Sequence, residues 1–266
     1  MAPAISVIIP AYNESNRLPP YLKSIRAYLQ NTWGDQHEVI VVDDGSEDGL
    51  STTLAPFLEN WGQFVLLKHP QNIGKGAAVR TGMLAAVGEV LLFTDADGAT
   101  PIEEEQKLRA AIQTIGADIS VGSRLLSGNG LARARLWHRD FCGRLFAASA
   151  QRILGLPVRD SQCGFKMFRR SAAQDLFRLC GEPGYLFDLE ILLSAQRKGY
   201  RIAEIPVSWK DVPGSKVRLI RDGWSLIRGL CRLRRSYLRR DGCQITDSSL
   251  KTSNFISSLP ANAVRE

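Results

Sequence analysis

The sequence predicts an α/β fold, a mostly parallel central sheet with helices on both faces. Two observations predict it. Short runs rich in Val, Ile and Leu alternate with longer amphipathic stretches through the first half of the 266-residue chain, as in a parallel sheet buried on both sides. The second observation is that three of these segments end in polar clusters: Tyr12-Asn13-Glu14, Asp43-Asp44-Gly45-Ser46 and Asp95-Ala96-Asp97. Ligands in open parallel sheets bind beyond the carboxyl ends of the strands, so the clusters are expected together on one functional edge.

In chain order, ISVIIP (5–10) reads as the first strand. Leu18, Tyr21, Leu22, Ile25, Tyr28 and Leu29 then recur close to a 3.6-residue period, which predicts a helix. EVIVVDD (38–44) is the second strand, followed by a helix around 51–60, a strand at 64–68 and a helix from about 75 to 87. EVLLFTDAD (89–97), a helix from about 102 to 114 and ADISVGSR (117–124) complete a nucleotide half of about 1–124. The alternation then fades into an acceptor half of about 125–215. It holds a loop at Ser127-Gly128-Asn129-Gly130, a basic helix-like run over 133–154, GFKMFRR, a helical segment near 184–198 and the strand RIAEIPVSW (201–209). Residues 241–266, rich in Ser, Thr and Asn, are expected to be disordered.

A 44% hydrophobic content is enough for one full core. Cys142, Cys163, Cys180, Cys231 and Cys243 form no CxxC pair, which indicates a reducing, cytoplasmic setting without a disulfide framework. Met-Ala-Pro runs straight into a strand, so no secretory leader is expected, and no apolar stretch approaches the roughly 18 residues of a spanning helix. The net charge of +7 is local: residues 216–240 hold nine Lys or Arg against the single acid Asp222. The near-neutral remainder excludes a nucleic-acid surface spread over the fold and places an anionic partner at the C-terminal end. In that segment Ile220, Trp224, Ile227, Leu230, Leu233 and Tyr237 fall near one helical face. Such a helix suits peripheral attachment to the inner face of an anionic membrane, or packing on its own domain. Each central arginine would cost about 2.5–3.5 kcal/mol in a spanning orientation, so it does not span.

Asp95 and Asp97 stand one residue apart after a buried strand, where both can reach one divalent cation. Their hard oxygens favour Mg2+ or Mn2+, whose charge would neutralise a departing diphosphate. Asp44 suits a hydrogen bond from a uracil N–H or a ribose hydroxyl, or equally a cap for the turn at Gly45-Ser46. Asn72-Ile73-Gly74-Lys75-Gly76 opens a helix whose amides and Lys75 could face phosphate or base, or form a simple strand-to-helix turn. A dinucleotide-binding Rossmann reading fails because Pro10-Ala11-Tyr12-Asn13-Glu14 replaces the G-x-G-x-x-G fingerprint. His69 and His138 have no partner pattern and read as structural.

With Pro10-Ala11-Tyr12-Asn13-Glu14, VVDDGS, NIGKG, DAD and VGSR in this order, the first half resembles family 2 glycosyltransferases of the GT-A, nucleotide-diphospho-sugar transferase fold. Arg159-Asp160-Ser161-Gln162-Cys163-Gly164-Phe165-Lys166, Phe187-Asp188-Leu189-Glu190, the strand ending in Trp209 and Gly214-Ser215-Lys216 resemble the dolichyl-phosphate β-glucosyltransferase branch, related to dolichyl-phosphate mannose synthases. The resemblance covers roughly 4–220. It implies that Pro10, Tyr12, Glu14, Val42 and Asp44 hold the nucleoside, with Ala96 beside it. It places the metal on Asp95 and Asp97, phosphates on Arg124 and Lys216, and Asp160 beside the reacting centre. Ala99 stands where mannose synthases often carry a glutamine, and Asp211 and Val212 where they carry an arginine; both departures favour the glucosyl branch.

The resemblance further implies inversion, with a nucleotide-diphosphate sugar as donor and a polyprenyl-phosphate lipid as acceptor. Arg139 and Lys166 add positive charge for the acceptor phosphate. With a phosphate acceptor Asp160 orients or tunes; with a sugar hydroxyl it is the leading base; its structural reading is an ion pair with Arg159 or Lys166. A polysaccharide- or glycolipid-extending enzyme, a GDP-mannose user and a catalytically silent binding module are the competing readings.

Overall fold

The computed structural model describes residues 2–126, 154–210 and 212. Seven strands form one sheet in the order β3-β2-β1-β4-β6-β5-β7. Strands β1 (Ile5–Ala11), β2 (His37–Asp43), β3 (Phe64–Lys68) and β4 (Val90–Thr94) pair in parallel. Strands β5 (Ile119–Ser123) and β7 (Ile202–Pro206) also pair in parallel. Between β4 and β5 lies β6 (Phe165–Arg169), antiparallel to both. GFKMFRR, left without an element by the sequence pattern, is therefore an internal strand.

Alternate residues of each strand feed opposite cores, as the two-residue repeat of a strand demands. Ile5, Val7 and Ile9 of β1 with Val39 and Val41 of β2 pack toward α1 (Leu18–Trp33), α2 (Leu50–Asn60) and α4 (Glu105–Thr114), whose buried residues belong to the same cluster. Ile8, Ile40, Val42, Leu91 and Phe93 pack on the other face with α3 (Lys75–Ala85), α5 (Arg170–Leu179) and α6 (Phe187–Arg197). Helix α1 buries Leu18, Tyr21, Leu22, Ile25 and Leu29, the predicted stripe, and begins with Pro19 and Pro20, tolerated where no intrahelical N–H bond is needed. The predicted helices at 51–60, 75–87, 102–114 and 184–198 all appear within a few residues of their expected bounds.

The direction of β6 decides the site. The carboxyl ends of the six co-directional strands share one edge, and the reversed strand begins there. Thr94 pairs with Phe165, so the preceding residues 160–164 arrive beside Asp95–Asp97. No helix among the described residues is long and apolar enough to cross a membrane. Arg139, Lys216, the 216–240 helix and the 241–266 tail lie outside the described residues.

Candidate active site

At the end of β4, Asp95 is packed tightly. Its amide donates to the Gly164 carbonyl at 3.0 Å, and its carboxylate lies flat against Gly164. A Cβ at 164 would fall 2.0 Å from Asp95 Oδ2, so only glycine fits under this carboxylate. Gly164→Ala is expected to cost about 1–3 kcal/mol of stability from overpacking. The transfer activity that the sequence resemblance implies should fall about 100-fold, because Asp95 must swing by an ångström or more. Thermal melting beside the transfer assay checks this; unchanged transfer would mean that the carboxylate's position is unimportant.

The other Asp95 oxygen, Oδ1, accepts from Lys75 Nζ at 2.6 Å. The same ammonium lies 5.4 Å from the centre of the Phe93 ring. Burial works against the charge of Lys75, but Asp95 and Asp188 more than restore it, and its pKa is raised. Asp97 accepts the Ala99 amide at 3.0 Å. Burial first, and then repulsion from Asp95, push its carboxyl above the usual range, partly offset by the Ala99 amide, Arg17 and Lys75. Two crowded carboxylates of this kind fit a hard divalent cation. Among the described residues no third His, Cys, Asp or Glu joins them, so substrate phosphates and water would complete such a coordination.

Arg124 follows β5. Its Nε and Nη2 donate to the Asp160 carboxylate at 2.8 and 2.7 Å, and its amide adds a third bond at 2.9 Å. Asp160 is 1% exposed. Burial raises its pKa, but the bonds and charge of Arg124, with the field of Lys166, outweigh burial and hold it below the usual carboxylate range. The Arg124 side chain remains 36% exposed, with its guanidinium 5.7 Å from the centre of the Trp209 ring. Glu204 of β7 accepts the amides of Arg159 and Asp160 at 3.0 and 2.9 Å, and the Lys210 amide donates to the Ala99 carbonyl at 2.8 Å. The loop before β6 is therefore held on both sides.

Three expected contacts are placed otherwise. Lys166, expected at an acceptor phosphate, is 1% exposed. It points from β6 into the α6 side, where Nζ meets Asp188 Oδ1 at 2.6 Å and the Cys163 carbonyl at 2.5 Å; no face is left for a ligand. Asp160 pairs with Arg124, not with Arg159 or Lys166. Asp44, expected at the nucleoside, is buried. Its oxygens accept from His69 Nδ1 at 2.7 Å and from the amides of Ile73 and Gly74 at 3.1 and 2.8 Å. It holds the NIGKG loop, and His69 is held in turn by Thr81 at 3.0 Å. The glycines of that loop permit close approach, but to the chain itself: a Cβ at Gly76 would fall 2.5 Å from the Glu182 carbonyl oxygen.

At the end of β1, Pro10 pairs in register with Val42, both buried. Tyr12 is half-buried, Glu14 is buried against Arg17, and Ala96 is buried in the turn between Asp95 and Asp97. The strand-end loops are laced together: the Asn13 amide donates to Ser46 Oγ at 2.8 Å, and the Glu47 amide donates to Asn13 Oδ1 at 2.8 Å. The sequence reading missed Arg17, whose i,i+3 spacing from Glu14 was the available signal. It also missed Ser161 Oγ and Gln162 Nε2, buried atoms with no hydrogen-bond partner among the described residues, in the loop between Arg124 and Asp95. Buried orphans of this kind are rare in folded chains. A groove of about 980 Å³ between α1 and α2, lined by residues including Lys23, Arg26 and Phe57, bears none of these groups.

A mostly parallel sheet of this order, with an acidic turn after β4 and a reversed strand returning beside it, is the build of the GT-A class of glycosyltransferase folds. Residues 6–177 match the family model "Glycosyl transferase family 2", and the chain belongs to that family. It is 36% identical over 250 residues to a Saccharomyces cerevisiae protein named dolichyl-phosphate beta-glucosyltransferase, covering 88% of this chain and 75% of the relative. The Homo sapiens protein of the same name is 34% identical, covering 80% of this chain and 69% of its own. Glucosyl-3-phosphoglycerate synthase from Mycobacterium tuberculosis, solved with Mn2+, UDP and glucosyl-3-phosphoglycerate, superposes with a TM-score of 0.62 at 22% identity. That alignment covers 92% of this chain and 82% of the synthase.

Proposed function

We propose that the chain is a metal-dependent, inverting hexosyltransferase that moves glucose from UDP-glucose to a polyprenyl (dolichyl) monophosphate. The observation that carries this reading is the arrangement of cations around the acidic turn. Lys75 lies against Asp95 at 2.6 Å, and Arg124, paired with Asp160, lies within the electrostatic field of Asp95. One edge can then hold two anions, a diphosphate by Lys75 and a phosphate monoester by Arg124. The names of the relatives support glucose and the lipid phosphate, and the UDP and Mn2+ of the structural neighbour support donor and cation.

Mg2+ or Mn2+ held by Asp95 and Asp97 would supply positive charge to the leaving diphosphate. Lys75 adds its charge on the same side. A phosphate monoester has a second pKa of about 6 and is largely dianionic at neutral pH, so it attacks the anomeric carbon without surrendering a proton. Asp160, held ionised below the usual range, is a poor base and is better suited to fixing the guanidinium of Arg124 for the incoming phosphate. A hydroxyl acceptor would require the base that Asp160 is poorly suited to be. Pro10, Tyr12, Glu14 and Val42 frame the nucleoside side; Lys216, on the sequence resemblance, and Arg139, on its charge, are further phosphate contacts. Peripheral attachment of the 216–240 segment to the cytoplasmic face of an anionic membrane belongs to the same proposal and rests on its charge and apolar stripe.

The test is transfer by the purified chain with Mn2+, from UDP-glucose or GDP-mannose, to polyprenyl phosphate in anionic or neutral vesicles. Lipid-linked glucose is expected, formed faster on anionic vesicles, with UDP binding at least about tenfold tighter than GDP, about 1.4 kcal/mol. Mannose transfer with tighter GDP binding would overturn the donor, and equal rates on both vesicles would overturn the membrane contact.

A further inference from the structure

The position of Lys75 bears on the order in which cation and donor arrive. Asp95 has two oxygens, and both are engaged. Oδ2 backs onto Gly164, where not even a methyl group would fit, so the carboxylate cannot turn away into the protein. Oδ1 carries the Lys75 ammonium at 2.6 Å. Lys75 is the first residue of α3, and that helix start is tied down by the Ala77 amide donating to the Pro183 carbonyl at 3.1 Å. The backbone of Lys75 is therefore fixed, while its flexible four-carbon stem, whose ammonium lies 5.4 Å from the centre of the Phe93 ring, can swing.

An ammonium and a divalent cation cannot comfortably share one carboxylate oxygen, since each repels the other within a few ångströms. We propose that Lys75 is a positioning residue that reserves Asp95 for a metal ion arriving with the diphosphate. Without donor, the ammonium holds Oδ1 and resists the metal. The diphosphate offers Lys75 several oxygens of higher charge; the stem swings to them, and Asp95 is released to the cation that travels with the nucleotide. Metal and donor then bind cooperatively, and by linkage each raises the affinity of the other by the same factor. The site avoids holding a bare cation that could neutralise the wrong anion, such as an acceptor phosphate arriving early.

This rests on the proposal that Asp95 and Asp97 bind the metal, and the experiment separates the two. Mn2+ binding to the full chain is measured by the loss of the free-ion paramagnetic resonance signal, with and without UDP, for wild type, Lys75→Met and Asp95→Asn. Without UDP, Lys75→Met is expected to bind Mn2+ about fivefold or more tighter than wild type, and the gain that UDP brings should shrink by at least that factor. Lys75→Arg, which keeps the charge, should bind Mn2+ alone as weakly as wild type. Equal or weaker Mn2+ binding by Lys75→Met without UDP overturns the role of Lys75 while leaving the metal site standing. No Mn2+ binding by any chain, even with UDP, overturns the metal site itself. Lys75→Gln is read in the same way should the methionine variant fail to fold.

Discussion

Asp97→Ala is expected to lower transfer by about 100- to 1,000-fold or more while leaving the fold as stable as before. The two halves of this expectation have separate causes. Catalytically, under the proposed function, Asp97 with Asp95 would hold the cation against the leaving diphosphate. Structurally, it contributes little: one bond to the Ala99 amide at 3.0 Å, worth about 1 kcal/mol. Against that bond stand burial and repulsion from Asp95, which push its carboxyl up. A carboxyl with a raised native pKa opposes folding when ionised at neutral pH and regains that loss as pH falls through the raised value. Removing it relieves the repulsion and offsets the lost bond, so Tm should move by no more than about 4 °C. Mn2+ with UDP should raise the Tm of wild type by mass action and should fail to do so for the variant. Full turnover by Asp97→Ala, or by wild type in a chelator, would remove the metal from the mechanism. Activity bought at the expense of local repulsion is a recurrent feature of active sites.

The Asp95–Asp97 turn was legible because its signal is local. A buried apolar run and the polar residues after it lie within ten positions, and a parallel strand has only one end at which ligands bind. The same logic placed the strands and helices of the first half to within a few residues. β6 was not legible on those terms. FKMFR is short, and its lysine, Lys166, reads as a solvent-facing residue. In the fold Lys166 is buried only because Asp188 of α6 comes to meet it at 2.6 Å, a contact 22 residues away that no periodicity reveals. Missing β6 also hid the reason for the DSQCG motif. The reversed strand is what carries Gly164 under Asp95 and Asp160 to Arg124.

Asp44 and NIGKG show a different limit. Their residue types suit a nucleotide and a self-contained loop equally well, because a carboxylate accepts any N–H and glycine admits any close neighbour. Sequence offered Asp44 a nucleoside contact or a cap for the turn at Gly45-Ser46; in the fold Asp43 caps that turn by accepting the Ser46 amide at 2.8 Å, Asp44 accepts the amides of Ile73 and Gly74, and Gly76 sits against residues 182–184.

The Arg124–Asp160 pair gives the second large effect, and here the pH profile matters more than the rate. Arg124→Met should reduce transfer to polyprenyl phosphate by about 100-fold or more, as expected on removing a charged donor from a developing or incoming anion. Asp160→Asn should cost about as much, together with about 1–3 kcal/mol of stability from a buried bond left poorly matched. If Asp160 acts through Arg124, the double variant Arg124→Met/Asp160→Asn should transfer no more slowly than Arg124→Met alone, because the pair works as one unit. A base at Asp160 would give a further loss. The profile separates the readings independently. Asp160 is held below the usual carboxylate range by Arg124, so the stability it contributes is present above the unfolded value and lost only as pH falls through the lower folded one. Its titration cannot shape activity near neutrality. The acid limb of kcat/KM should instead follow the second ionisation of the acceptor, near pH 6. It should move to lower pH when the acceptor is replaced by an analogue with a more acidic phosphate. A limb that stays fixed with such an acceptor and disappears in Asp160→Asn would identify Asp160 as the base after all.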